Sequence, residues 1–257
     1  MPLRAMGPKI DPGATREGVA RGLDLPEPTK LNLLYHVTPF ASSDVWLRNI
    51  RQIEMRRSMF TGRFLLGIST GDGLVDKKHV IAALKTPPDE IRLFENNPEL
   101  REAVSFNWLM ESVMSADPSE ASFYAHAKGV TKPNHHMIMW WRNAMYHTLL
   151  CPEAVNDLRH YATVGSFRCR RAVRFRDGQS SSWHYAGSFY WFRHDQAFNR
   201  KWQYPSSGWQ AEWWPGKTFP LSRSACRYND YCRHPYRSHS HSLRIEDDAL
   251  GNTSDQK

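Results

Sequence analysis

Cysteine is scarce: the 257 residues hold four, at positions 151, 169, 226 and 232, and none forms a Cys-x-x-Cys pair. We therefore expect reduced thiols in a cytoplasmic setting rather than a disulfide framework. Long apolar runs are missing as well. No stretch approaches the ~20 apolar residues of a spanning helix. The opening MPLRAMGPKIDPGATREG lacks the apolar core of a signal peptide, so neither export by that route nor an integral membrane segment is expected. Zinc-type spacing is absent too, because His135-His136 and the SHSHS run have no accompanying ligands. There is no internal repeat.

Acidic residues are outnumbered, 26 against 34 Lys and Arg, and the formal charge of +8 asks for an anionic partner. Nucleic acid, a phosphorylated ligand and a membrane surface all qualify. Nucleic acid fits poorly, since the basic residues are spread along the chain and no recognised binding module appears. What is abundant is aromatic: ten Trp, ten Tyr and twelve Phe, side chains that build ligand platforms as well as cores. Hydrophobic content of 40% gives a chain of this length ample material for one large domain.

The pattern is organised around Ser122 to Leu150. Ser122–Ala127 reads as a buried strand that stops at His126, Lys128 and Gly129, and Met137, Trp141, Ala144, Met145 and Thr148 then recur at helical spacing. Ahead of it come a strand at Leu31–Val37, a helix capped by Ser43 or Asp44 with Trp46, Ile50 and Ile53 inward, and a strand at Gly62–Ser69. A helix near Asp76–Lys85 and a strand at Ile91–Phe94 follow, then a helix opened by Pro98 with Phe106, Leu109, Met110 and Val113 inward. Alternation of this kind predicts an α/β fold with a mostly parallel, Rossmann-like sheet and helices on both faces. Beyond Pro152 we expect a short helix at Glu153–His160 and strands at Ala162–Arg176 and Trp183–Phe192, forming a smaller mixed sheet region. A helix near Asp195–Trp202 comes next. Residues 1–29 and 236–257 read as a disordered leader and tail around one domain, with halves at 30–150 and 151–235.

Open α/β sheets bind ligands at their carboxyl edge. Lys128 there neutralises a ligand phosphate with Gly129 admitting the backbone closely, or is an ordinary turn lysine. His126 is a catalytic group or a satisfied core histidine. Asp72, between two glycines, and Glu95 suit ribose hydroxyls or a base, or cap helices. Glu212 beside Trp213 and Trp214 has the composition of a sugar site, with a surface strand as the alternative. Arg168, Arg170, Arg174 and Arg176 share one strand face and hold phosphates or are simply solvated.

FYAHAKG, then WWRNAMYHTLL, VGSFR, WHYAGSFYWFR and AEWWPGKTFP, resembles the glycosyltransferase A-type (GT-A) fold. The branch it is most similar to is that of small glycosyltransferase-like proteins related to rhamnan synthesis protein F. The resemblance spans roughly Leu31 to Tyr231 and matches His126, Lys128, Trp141, Arg142, Gly165, Gly187, Ser188, Phe189, Trp191 and Arg193. It implies a nucleotide-sugar donor bound at the carboxyl edge of the first strands; there the matching His126, Lys128 and Arg193 are expected to hold it together with Gly129, Asp72 and Glu95 from the residue reading. It also implies an acceptor site built by the later strands, as in polysaccharide biosynthesis; the matching Trp191 and Arg142 are expected to meet the carbohydrate with Trp213 and Trp214 from the residue reading. Glu212 or Asp72 would deprotonate the acceptor hydroxyl, and Lys128 with Arg193 would stabilise the diphosphate. One departure stands out. Where the wider fold carries Asp-x-Asp for a manganese or magnesium ion, this chain reads His126-Ala127-Lys128. Protein cations then replace the metal, or the chemistry is lost. The expected function is glycosyl transfer, with a non-catalytic sugar-binding or scaffolding protein and a nucleic-acid-binding protein as the alternatives.

Overall fold

Leu31, Leu33, Tyr35 and Val37 face one core while Leu34 faces another, so the first strand, β1 (Lys30–Val37), must lie inside a sheet covered on both sides. The computed structural model describes residues 23–170, 173–174, 180–199 and 208–231. The N-terminal part of the expected leader, Arg176, the Asp177-Gly178 turn, residues 200–207 and the expected tail lie outside them.

In chain order the first half comprises β1, α1 (Val45–Glu54), β2 (Phe64–Thr70), α2 (Lys77–Ala82), β3 (Glu90–Glu95), α3 (Ala103–Glu111), β4 (Glu120–His126) and α4 (His136–Leu149). The second half comprises α5 (Pro152–Asn156), β5 (Thr163–Cys169), β6 (Val173–Arg174), β7 (Ser180–Ser181), β8 (His184–Tyr185), β9 (Tyr190–Arg193), α6 (His194–Ala197), α7 (Gly208–Thr218) and β10 (Ser224–Tyr231). The sheet order is β10-β5-β9-β4-β1-β2-β3, with β8 also on β5. The four strands expected to share a parallel sheet do so, and β9 is the antiparallel member between β4 and β5. The C-terminal strands extend this same sheet, apart from the β6–β7 pair. Helices α1 and α4 cover one face through Trp46, Ile50, Trp141 and Met145. On the other face, α3 and α7 contribute Phe106, Leu109 and Trp214.

Several segments differ from expectation. The Asn97 side chain accepts from the backbone of Glu99 and Leu100, and Arg101 sits at φ +50°, so α3 starts at Ala103 rather than at Pro98. The buried face of α4 is Trp141, Arg142, Met145, Tyr146 and Leu149, rotated from the predicted stripe. Trp183–Phe192 is no continuous strand: Gly187 at φ +95° and Ser188 at φ +58° interrupt it between β8 and β9. AEWWPGKT (residues 211–218) is not a surface strand but the body of α7. Pro215 cannot donate to the Ala211 carbonyl one turn back, and the Tyr190 hydroxyl takes that carbonyl at 3.3 Å. The chain is also anchored ahead of the predicted domain start. Leu23 and Leu25 donate backbone bonds to His160 and Arg159.

Candidate functional site

β1 and β4 are neighbours while β2 and β3 lie to the other side of β1, so the connections diverge between β1 and β4 and open a crevice at their carboxyl ends. His36 and His126 face each other in register there. Ala127 still donates to His36 O, and then the chain turns. Asn49, fully buried on α1, holds that turn. Its Nδ2 donates to Lys128 O at 3.0 Å, and its Oδ1 accepts from Lys128 N at 3.2 Å and from the Tyr146 hydroxyl at 3.0 Å. Gly129 follows at φ +86°, where a Cβ would stand 3.0 Å from Ile138 Cγ2, so both conformation and space call for glycine. The Lys128 ammonium lies 4.4 Å above the Trp141 ring and makes no salt bridge among the described residues.

On the opposite face of the sheet, Glu102 leads into α3 and reaches the same rim. Its Oε1 accepts from Ser188 Oγ at 3.1 Å and lies 3.9 Å from His126 Nε2. Burial pushes the Glu102 carboxyl up, but the charges of His126 and Lys128 and its own backbone N–H more than offset this and hold it below its ordinary value. His126 is pushed down, by burial first and then by Lys128, against the pull of Glu102. A carbonyl can only accept, so the 3.0 Å contact of His126 Nε2 with Gly187 O fixes the proton on Nε2 and leaves Nδ1 as the acceptor. Gly187 is gripped from both ends, because its N–H donates to Glu212 Oε1 at 2.7 Å. Thus α3, the end of β4, the β8–β9 break and α7 meet at one point. His36 lies beneath, bonded to Ser105 and Ser69, and burial pushes it down to about 3.

The residues singled out from the sequence fall in three places. His126, Lys128 and Gly129 lie at the carboxyl end of β4, and Glu212 is linked to His126 through Gly187. Asp72 and Glu95 are exposed beyond β2 and at the end of β3, strands that lie across β1 from β4. An open depression runs from Glu95 through Asn97 and Pro98 to Val104. Arg142 is buried on α4, near Tyr146, Tyr35 and Arg48.

The remaining assignments are corrected. Arg193 sits opposite Ala121, at the amino end of β4, and therefore on the rim away from Lys128. Its guanidinium is spent on Asp195 and the carbonyls of Pro26, Leu158 and Pro118, so it cannot serve a diphosphate at the crevice. Trp191 is fully buried, stacked on Phe60 at 5.6 Å, with Nε1 donating to Leu149 O, which removes it as an acceptor platform. Trp213 and Trp214, expected to meet a sugar, are 7% and 2% exposed. α7 is wedged between α3 and β8, which covers both sides of it. Trp213 lies 3.9 Å from the His184 ring, and Trp214 packs among Phe106, Tyr190, Phe192 and Phe219.

A divalent cation suits this strand end poorly. One carboxylate, already bonded to Ser188, shares its field with a lysine, and among the described residues no three His, Cys, Asp or Glu gather at metal-binding distance. Sequence reasoning missed Glu102 and Asn49. Asn49 left a signal, a polar residue on the otherwise apolar stripe Trp46-Ile50-Ile53; Glu102 left none that separates it from Glu95 or Glu99.

No protein-family model and no curated protein matches this sequence. Among solved structures the chain is similar to a candidate nucleotide-diphospho-sugar transferase from Desulfovibrio desulfuricans G20. That match has 14% identity over 86% of this chain and 96% of the other, with a TM-score of 0.37. At that distance it bears on no residue of the site. Among the described residues no helix is long and apolar enough to cross a membrane.

Proposed function

We propose that this chain is a glycosyltransferase that draws on a nucleoside-diphosphate sugar and neutralises the leaving diphosphate with its own cations rather than a metal. The observation that carries the reading is the convergence of Glu102, His126 and Lys128 at the carboxyl rim of a parallel sheet, at the point where its connections diverge. The motif resemblance to GT-A proteins, in its rhamnan-synthesis-related branch, points the same way. In this reading the Lys128 ammonium meets the diphosphate. Trp141 beneath it and Asn49 behind its main chain keep that charge in one position, so it stands ready where negative charge develops. Gly129 lets the phosphate oxygens approach the backbone. Neutral His126 keeps Gly187 in place, and the loop at Gly187-Ser188 forms the wall facing the sugar.

A second reading has one observation in its favour. Glu102 is bonded to Ser188 and Glu212 to Gly187, as befits a protein that binds a sugar without transforming it. A thermal-shift panel of UDP-, GDP- and dTDP-sugars, with manganese and with chelator, tests the first reading, because a ligand that binds only the native state raises the midpoint. We expect a stabilising donor whose effect survives chelator, and release of nucleoside diphosphate. Binding without release supports the second reading, and no stabilisation by any donor refutes both.

A further inference from the structure

Resting on the glycosyl-transfer reading, we infer that Glu102, rather than Glu212 or Asp72, takes the proton from the acceptor hydroxyl. Three carboxylates are candidates. Asp72 is exposed within the Gly71–Gly73 turn beyond β2. Glu212 is 9% exposed and accepts the Gly187 N–H, a bond that shapes the loop. Glu102 is the one whose carboxylate lies beside the strand-end histidine, its Oε1 3.9 Å from His126 Nε2 and its side chain 14% exposed, and the Lys128 charge also acts on it. A carboxylate this enclosed, yet still open to the rim, can reach one hydroxyl while bulk water stays outside.

Its surroundings are built to hold it in one pose. Ser188 donates to Oε1 from a left-handed backbone conformation, φ +58°, that non-glycine residues seldom adopt. The neighbouring Arg101 is also left-handed, at φ +50°. Two strained residues therefore flank one hydrogen bond, a distribution typical of sites where geometry serves chemistry. Ser188 occupies one lone pair of Oε1 and leaves the rest of the carboxylate able to accept a proton.

The step balances. The acceptor O–H bond breaks and its proton passes to Glu102, while the oxygen's electron pair forms the new bond to the anomeric carbon. The bond from that carbon to the diphosphate breaks, its pair leaving on the nucleoside diphosphate beside Lys128. Glu102 then returns the proton to water. A carboxyl held below its ordinary value is in the accepting state, and the hydroxyl acidifies as its oxygen bonds to carbon.

The test uses the full chain with UDP-glucose, UDP-galactose, GDP-mannose and dTDP-rhamnose, a mixture of mono- and disaccharide acceptors, and nucleoside diphosphate release as readout. Glu102→Gln keeps the acceptor for Ser188 but cannot take a proton. We expect its donor Kd to stay within about threefold of wild type while turnover falls on the order of 10²–10⁴-fold. Glu102→Ala should recover part of its turnover in sodium formate, a response that loss of packing alone does not produce. Glu102→Gln turning over within tenfold of wild type, losing donor affinity in parallel with rate, or Glu102→Ala without formate rescue overturns the assignment while wild-type activity leaves glycosyl transfer standing. A wild-type protein that neither binds nor cleaves any donor removes the transfer reading and this assignment with it.

Discussion

Asn49 and Lys128, 79 positions apart, are joined through both main-chain groups of the lysine: the Asn49 amide donates to Lys128 O and accepts from Lys128 N. One side chain thus closes the turn after β4 as a third strand would, and the Tyr35–Tyr146 hydroxyl pair backs it from the core. Asn49→Ala would leave the Lys128 N–H and the Tyr146 hydroxyl without this acceptor. Buried groups left so typically cost ~1–3 kcal/mol each. We expect a loss of a few kcal/mol in urea unfolding, with donor affinity weakened even under conditions where the variant is fully folded. A variant as stable as wild type would mean that the turn does not depend on Asn49.

Lys128→Ala removes the cation and leaves the Trp141 face bare. If the ammonium meets the diphosphate, donor affinity falls by ~1.5–3 kcal/mol, roughly ten- to a hundredfold. Titration calorimetry with chelator present measures this directly. Unchanged affinity in the variant, or loss of wild-type binding on adding chelator, counts against protein cations in place of a metal.

Buried histidines with depressed values, His36 and His194 together with the strand-end His126, shape the pH dependence of stability. Burial pushes His36 down to about 3 and His194 down to about 4, against 6.5 in an unfolded chain. His36 faces His126 and Glu102, with Ser105, Ser69 and Thr38 bonded to its ring. His194 faces Glu120, Lys30 and Asp195, with Ser122 and Ser115 bonded to its ring. Both groups have depressed folded-state values, so their contribution is intact above about 6.5. It is lost as pH falls toward 4, because the unfolded state binds the protons first. Each such group contributes a slope of about 1.4 kcal/mol per pH unit in that window. Urea midpoints from pH 7 to 4.5 should fall steeply, and His194→Gln should take about 1.4 kcal/mol per pH unit off the slope. Flat midpoints would mean that neither histidine is protected.

The parallel half of the fold was legible because strands buried on both faces are mostly apolar and give way to helical spacing, as Leu31–Val37 and Ser122–Ala127 do. The second half was not, for local reasons. Nothing in WHYAGSFYWF announces that Ser188 turns left-handed beside Gly187 and splits the strand. In AEWWPGKTFP, Pro215-Gly216 reads as a turn. The Tyr190 hydroxyl instead compensates the missing helical bond, and Gly216 lets α7 press onto the Trp183 carbonyl, where a Cβ would stand 1.8 Å away. Helical placement buried the tryptophans that had looked like a sugar platform. His126 and Lys128 were found because they end a recognisable strand, whereas Glu102 arrives from a distant turn that only tertiary packing brings to them.

Glu212 is the place where the two accounts of the site separate most cleanly. As acceptor base it would be silenced by Glu212→Gln, with turnover lost and stability kept. As the residue that holds the Gly187 N–H, it needs only an acceptor oxygen, and glutamine supplies one. We therefore expect Glu212→Gln to lose no more than about tenfold in turnover, well short of the 10²–10⁴-fold typical of a missing base. Glu212→Ala removes the acceptor altogether and orphans a buried N–H, which typically costs ~1–3 kcal/mol. It should also free the Gly187 carbonyl to drift from His126, so that hydrogen exchange at residues 186–189 accelerates while β4 stays protected. Should Glu212→Gln instead collapse turnover with the loop unperturbed, proton transfer belongs to Glu212 and Glu102 is left to bind the sugar.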